Sequence, residues 1–172
     1  MDKVIKISTF LFLTIIFAHC AGTEKDDDTR GTNYTHSAIY DISSSEWTGD
    51  INGYNYFIDV PEITEDIYYN GAVLVYRIFE TDPKSFNMLP YTYTDNLLTV
   101  YVDFDAYIGS INLMYKEVYN GVNDTPVPGN MSFKVLIIEG IPLAALKGMV
   151  DVNNYDALTK MLNINDPSRN PV

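Results

Sequence analysis

The sequence predicts a mainly all-β protein, an antiparallel β-sandwich of Ig-like or jelly-roll-like type with a short C-terminal helix. Three observations carry that expectation. Apolar and polar side chains alternate at period 2 through successive short segments between residues 54 and 137. Turn formers bound those segments, among them Asn70-Gly71, Asn120-Gly121 and Pro126-Val127-Pro128-Gly129. Helical periodicity is confined to short stretches after Pro61 and near the C-terminus.

In residues 54–60, Tyr54, Tyr56, Ile58 and Val60 share one face, and Pro61 ends the run because it has no N–H for a ladder. Residues 63–69 read as a turn or two of helix. Thr64 is placed to cap it, and Glu65 and Asp66 lie near its positive end. Residues 71–79 form an almost continuous apolar run rich in β-branched side chains, as a central strand requires. Tyr91 and Tyr93 alternate around Thr92. Leu98, Val100, Val102 and Phe104 then alternate with Thr99, Tyr101 and Asp103. Ile111, Leu113 and Tyr115 share a face, as do Met131, Phe133, Val135 and Ile137. Residues 153–162 read as the C-terminal helix, with Asn153 or Asn154 as cap and Tyr155, Leu158, Met161 and Leu162 as its apolar face. The expected organisation is a signal peptide over 1–19, a disordered acidic tether over 20–38, one sandwich domain over 39–165, long enough for a real core, and a flexible tail over 166–172.

The N-terminus predicts an address. Lys3 and Lys6 give a positive start, and residues 7–18 are apolar except for Ser8, Thr9 and Thr14. That core suits a secretory signal and falls short of the roughly 20 apolar residues a membrane-spanning helix needs. It ends at Cys20, the sole cysteine of the chain, which therefore has no partner for an internal disulfide. Phe17-Ala18-His19-Cys20 resembles a lipobox, with Phe17 where an aliphatic residue is usual and His19 where a small one is usual. The resemblance implies cleavage before Cys20 and a thioether-linked lipid on its sulfur. The chain would then be anchored to a membrane rather than spanning it.

Residues 21–33 have no apolar periodicity and carry the acidic block Asp26-Asp27-Asp28. Such a stretch buries too little apolar surface to offset chain entropy. Acidic residues just after a lipidated cysteine resemble the export signal of surface lipoproteins in Bacteroidota-type bacteria. This implies an outer-membrane lipoprotein displayed at the cell surface, with retention on the periplasmic side as the alternative. The chain has 11 basic and 23 acidic residues, a net charge of −12. Removing residues 1–19, with Lys3, Lys6 and Asp2, leaves 9 basic and 22 acidic residues, a balance of −13. That field repels phosphate backbones and excludes nucleic acid as a partner class. It is compatible with a solvated outer surface and with binding of cations or neutral sugars and selects none of these; the expected partners beyond the membrane are a glycan or a protein ligand.

The ordered motifs Trp47, Val60-Pro61-Glu62-Ile63-Thr64-Glu65-Asp66-Ile67, Asn70-Gly71-Ala72-Val73-Leu74-Val75-Tyr76, Leu89-Pro90-Tyr91-Thr92 and Phe133-Lys134-Val135-Leu136-Ile137-Ile138 resemble a family of secreted Bacteroidota proteins. The resemblance spans roughly residues 47–139. It bears on source and fold class and brings no activity or catalytic residue with it.

Catalytic and metal chemistry find little to work with. Beyond the leader the remaining histidine is His36, whereas a zinc site needs three or four converging ligands. There is no Gly-x-Ser-x-Gly elbow and no phosphate-binding glycine loop, so no catalytic residue, metal site or cofactor is assigned. Asp103 and Asp105 sit two apart and would share a strand face. They read as a glycosidase pair, a Ca²⁺ site, or simply a solvated strand end. Asp50-Ile51-Asn52-Gly53 resembles the opening of a calcium loop, but Pro61 stands where the last acidic ligand belongs, and a hairpin turn is the plainer reading. Among 14 Tyr, 8 Phe and 1 Trp, the candidates for ligand contact are Tyr91, Tyr93 and Tyr101. Tyrosine offers a ring face with a polar tip, and is also simply a good strand former. Trp47 reads as a core anchor, with a ligand platform as the alternative. The expected function is a non-catalytic binding or adhesion module of the cell envelope. The alternatives are a carboxylate-based glycan-active enzyme and a structural component of an envelope assembly.

Overall fold

The computed structural model describes residues 34–81 and 84–164. The signal segment 1–19, Cys20, the tether up to residue 33 and the tail 166–172 lie outside the described residues.

The domain is an antiparallel β-sandwich. One sheet has the strand order β1 (Tyr34–Ile42), β10 (Met131–Ile138), β4 (Ala72–Phe79), β5 (Ser85–Met88). The other runs β2 (Thr48–Asp50), β3 (Gly53–Asp59), β8 (Ser110–Tyr119), β7 (Leu98–Tyr107), β6 (Tyr91–Asp95), with the short β9 (Val122–Asn123) also paired to β8. Every pairing is antiparallel.

The alternating patterns become the space between the sheets. Ile58, Val60, Val100, Val102, Ile111, Leu113, Phe133, Val135 and Ile137 are buried together there, with Tyr54, Tyr56, Leu98 and Phe104 packed against them. Trp47 anchors one end of this core. It is 5% exposed, and its ring lies 6.2–6.4 Å from those of Tyr56, Tyr115 and Phe133.

A second core lies on the far side of the four-stranded sheet. Ala72, Leu74, Tyr76 and Ile78 of β4 and Leu136 and Ile138 of β10 face Leu146, Val152, Tyr155, Leu158 and Leu162. These come from α2 (Leu143–Met149), α3 (Tyr155–Met161) and the segments beside them. Asn154 caps α3 by accepting the Ala157 N–H at 3.0 Å. Met161, expected on the apolar face, is 37% exposed, because the docked face runs through Tyr155, Leu158 and Leu162. The expected single C-terminal helix is α3; α2 precedes it. Its Leu143-Ala144-Ala145-Leu146 stretch is too short for a helical period to stand out.

Turns follow local chemistry. Asn120 and Gly121 both have positive φ, 49° and 78°, and join Tyr119 to its partner Val122 as a two-residue hairpin loop of type I′. Asp50-Ile51-Asn52-Gly53 closes the β2–β3 hairpin, with the Asn52 N–H donating to Asp50 Oδ1 at 2.8 Å. Thr64 caps α1 (Glu65–Asn70), its hydroxyl accepting the Ile67 N–H. Gly71 follows at a place where a Cβ would lie 2.5 Å from the Ile138 carbonyl oxygen.

The first strand starts earlier than the sequence suggested. Residues 34–38, assigned above to the tether, belong to β1 and pair with β10 from Tyr34↔Ile138 to Ala38↔Val135. The reason is the edge position. β1 needs hydrogen bonds along one side only, so a polar segment completes the sheet without a marked apolar rhythm.

Candidate functional site

The sandwich opens into a cavity of about 280 Å³ lined by Arg77, Phe79, Tyr91, Tyr93, Val100 and Tyr115. Strand alternation assembles it. On β4, Arg77 and Phe79 continue the face that begins with Val73 and Val75, while Tyr76 and Ile78 point to the helices. On β6, Tyr91 pairs with Val102 and Tyr93 with Val100, which puts both tyrosines on the inner face. Tyr115 on β8 pairs with Val102.

Arg77 is half-buried in the middle of a strand that is otherwise apolar. Its guanidinium carbon sits 4.4 Å from the centre of the Phe79 ring, a cation–π contact, and Phe79 packs edge-on against Tyr91 at 5.7 Å. Among the described residues no carboxylate lies within ion-pair distance of Arg77 and its guanidinium makes no hydrogen bond. Burial lowers its pKa, partly opposed by Tyr115 and Tyr91. Arginine remains cationic under such a shift, so the cavity holds a partly desolvated positive charge that no described carboxylate pairs with.

The rim carries acceptors. The Tyr115 hydroxyl donates to Glu117 Oε1, and burial, followed by that bond, raises the Tyr115 pKa. The charge of Asp95, with a smaller part from burial and a hydrogen bond to the same carboxylate, raises the pKa of Tyr93. Tyr93 is 47% exposed, so the cavity mouth opens to solvent beside it.

The structure brings Tyr91 and Tyr93 together and places Tyr101 elsewhere. Tyr101 pairs with Thr92 and Lys116, on the outer face of the six-stranded sheet. Sequence reasoning missed Arg77, Phe79 and Tyr115 as parts of a site. The available signal was the one charged side chain inside the apolar run of β4.

Asp103 and Asp105 share the outer face of β7, as the spacing implies, and both are exposed. Asp103 accepts the N–H of its neighbour Phe104, and neither carboxylate lines any of the cavities described. His36 meets Glu62 at 3.4 Å. Among the described residues no group of three or more His, Cys, Asp or Glu side chains is placed to hold a metal, and no helix is long and apolar enough to cross a membrane.

No family model, curated protein or solved structure matches the chain.

Proposed function

We propose that the chain is a lipid-anchored, non-catalytic binding module of the cell envelope, and that the cavity around Arg77 is its ligand site. The observation that carries the reading is a positive charge held half-buried among aromatic rings, with no carboxylate within ion-pair distance among the described residues. A cation in that setting gives up part of its hydration, and a ligand with matching acceptors restores what was lost. The cavity lies at the small end of the range for ligand sites, so it suits one ring or one side chain rather than an extended molecule. It contains no nucleophile paired with a base, which favours binding over turnover.

The anchor rests on the sequence: a signal-like leader, the lone Cys20 in a lipobox-like setting, and an acidic spacer. The resemblance of the ordered motifs to secreted Bacteroidota proteins belongs to the same reading, an outer-membrane lipoprotein facing the cell surface. Replacing Cys20 by Ser tests the anchor. The wild-type chain is expected in the detergent phase of a phase-partition experiment and Cys20→Ser in the aqueous phase. Equal partitioning of both would remove the lipid from the proposal. Protease treatment of intact cells separates surface display, with the chain digested, from the periplasmic side, with the chain protected.

A further inference from the structure

We infer that the ligand of the Arg77 cavity is a sugar acid, a single uronate-type ring whose carboxylate pairs with the Arg77 guanidinium while its hydroxyls meet the rim. This deepens the reading of the cavity as a ligand site and rests on it.

The charge requirement comes first. The chain carries a net charge of −12, so its overall field repels anions. Attraction for an anion has to come from a cation held close to it, and Arg77 is the cation in the cavity wall. The guanidinium carbon lies 4.4 Å from the centre of the Phe79 ring. Arginine carries five N–H donors, and contact with one ring leaves several of them for a ligand. A carboxylate accepts two of them in parallel hydrogen bonds.

The rim narrows the choice further. Glu117 accepts a hydrogen bond from the Tyr115 hydroxyl, and the carboxylate of Asp95 stands close enough to Tyr93 to raise its pKa. Each carboxylate has acceptor capacity left after one such bond. A ligand that brings only a carboxylate, such as an acidic amino-acid side chain, would set its charge near both rim acids and offer them no donor. A sugar acid brings several O–H donors on the same ring as the carboxylate, so it answers the cation and the acceptors together. The rings of Tyr91, Tyr93 and Phe79 supply apolar surface for the C–H face of a pyranose. A cavity of about 280 Å³ holds one such ring.

The test is a calorimetric titration of the detergent-solubilised full chain. The probes are D-glucuronate, D-galacturonate, their neutral counterparts D-glucose and D-galactose, and N-acetyl-glutamate amide as the peptide-like acid. At least one uronate should bind roughly tenfold or more tightly than its neutral counterpart, about 1.4 kcal/mol or more, and more tightly than the glutamate derivative. Arg77→Gln should erase the preference for the acid. Arg77→Lys, which keeps the charge but not the planar fork, should reduce it and guards against a Gln variant that fails to fold. Tyr93→Ala should weaken uronate binding while the acid-to-neutral ratio stays high. Equal affinity for acid and neutral sugars, or a ratio untouched by both Arg77 variants, would overturn the carboxylate inference and leave the cavity as a neutral-ligand site. Tighter, Arg77-dependent binding of the glutamate derivative would overturn it in favour of an acidic peptide. Absence of heat with every probe, or binding indifferent to Tyr93→Ala, would remove the cavity as the site altogether.

Discussion

The two sheets solve the same problem in opposite ways. The four-stranded sheet is covered twice, by its partner sheet on one face and by α2 and α3 on the other. Its inner strands accordingly show little alternation: β10 is buried at every position but Ser132, and β4 at every even position and at Val75. The six-stranded sheet is covered once. Its long strand β7 alternates, and its outer face presents Phe57, Tyr101, Asp103, Asp105 and Tyr107 to solvent. Hydrophobic rhythm therefore reports how many faces a strand has to bury, not only that it is a strand. The difference also locates the site. Arg77 is tolerated within β4 because the sandwich stops short of closing over it, and it would have no exit on the helix side.

The comparison can be broken most forcefully at the doubly covered sheet. Leu74 is fully buried under the helices, and Leu74→Ala should destabilise the domain by about 2–5 kcal/mol through lost transfer energy and an unfilled cavity. Phe57→Ala, at a side chain 62% exposed on the open face, should cost no more than about 0.5 kcal/mol. Urea unfolding curves of both variants give the contrast directly. Similar losses would mean that the outer face of the six-stranded sheet is not the free surface described.

Tyr76 sharpens the contrast at intermediate scale. Its ring packs edge-on against Tyr155, and its hydroxyl donates to the Val152 carbonyl at 2.7 Å, fastening the helical layer to β4. Tyr76→Phe should cost about 1–2 kcal/mol, because the carbonyl is left buried without its donor. Burial pushes the Tyr76 pKa up from its ordinary value, with Asp151 adding to the shift. The unfolded chain therefore releases this proton at about pH 10 while the folded chain keeps it. The folded state then binds more protons, and stability falls as the pH rises above about 10. Tyr76→Phe should flatten part of that alkaline loss, seen as a shallower decline of the urea midpoint between pH 9 and pH 11. Tyr115, also shifted upward, contributes to the remainder.

Within the helical layer the smallest effect should come from the cap of α3. Asn154→Ala removes the acceptor for the Ala157 N–H and should cost about 1 kcal/mol. Hydrogen exchange should then rise in α3 and leave the six-stranded sheet unchanged, which would show the helical layer opening as a local unit.

The sequence made some elements more legible than others. Period-2 alternation located β3, β7, β8 and β10, and side-chain chemistry located the caps at Thr64 and Asn154 and the Asn120-Gly121 hairpin. Edge strands were harder. β1, β2 and β5 satisfy a ladder on one side, and their polar side chains dilute the rhythm. The site was legible only in part. Tyr91 and Tyr93 could be singled out, but which face of β6 turns inward depends on its register with β7. The cavity joins β4, β6, β7 and β8 across the gap between sheets. Tyr101 has the same composition argument as Tyr93 and the opposite facing. That distinction is set by tertiary structure, where a shift of one residue reverses every side chain.

Trp47 has an optical consequence. It is the only tryptophan in the chain, and its indole is shielded from water beside Tyr56, Tyr115 and Phe133. Tyr115 belongs at once to that aromatic cluster and to the wall of the Arg77 cavity. A single native indole thus sits in the packing between the sheets and, through one shared ring, next to the wall of the cavity. Its emission gives the molecule an internal light source for watching both.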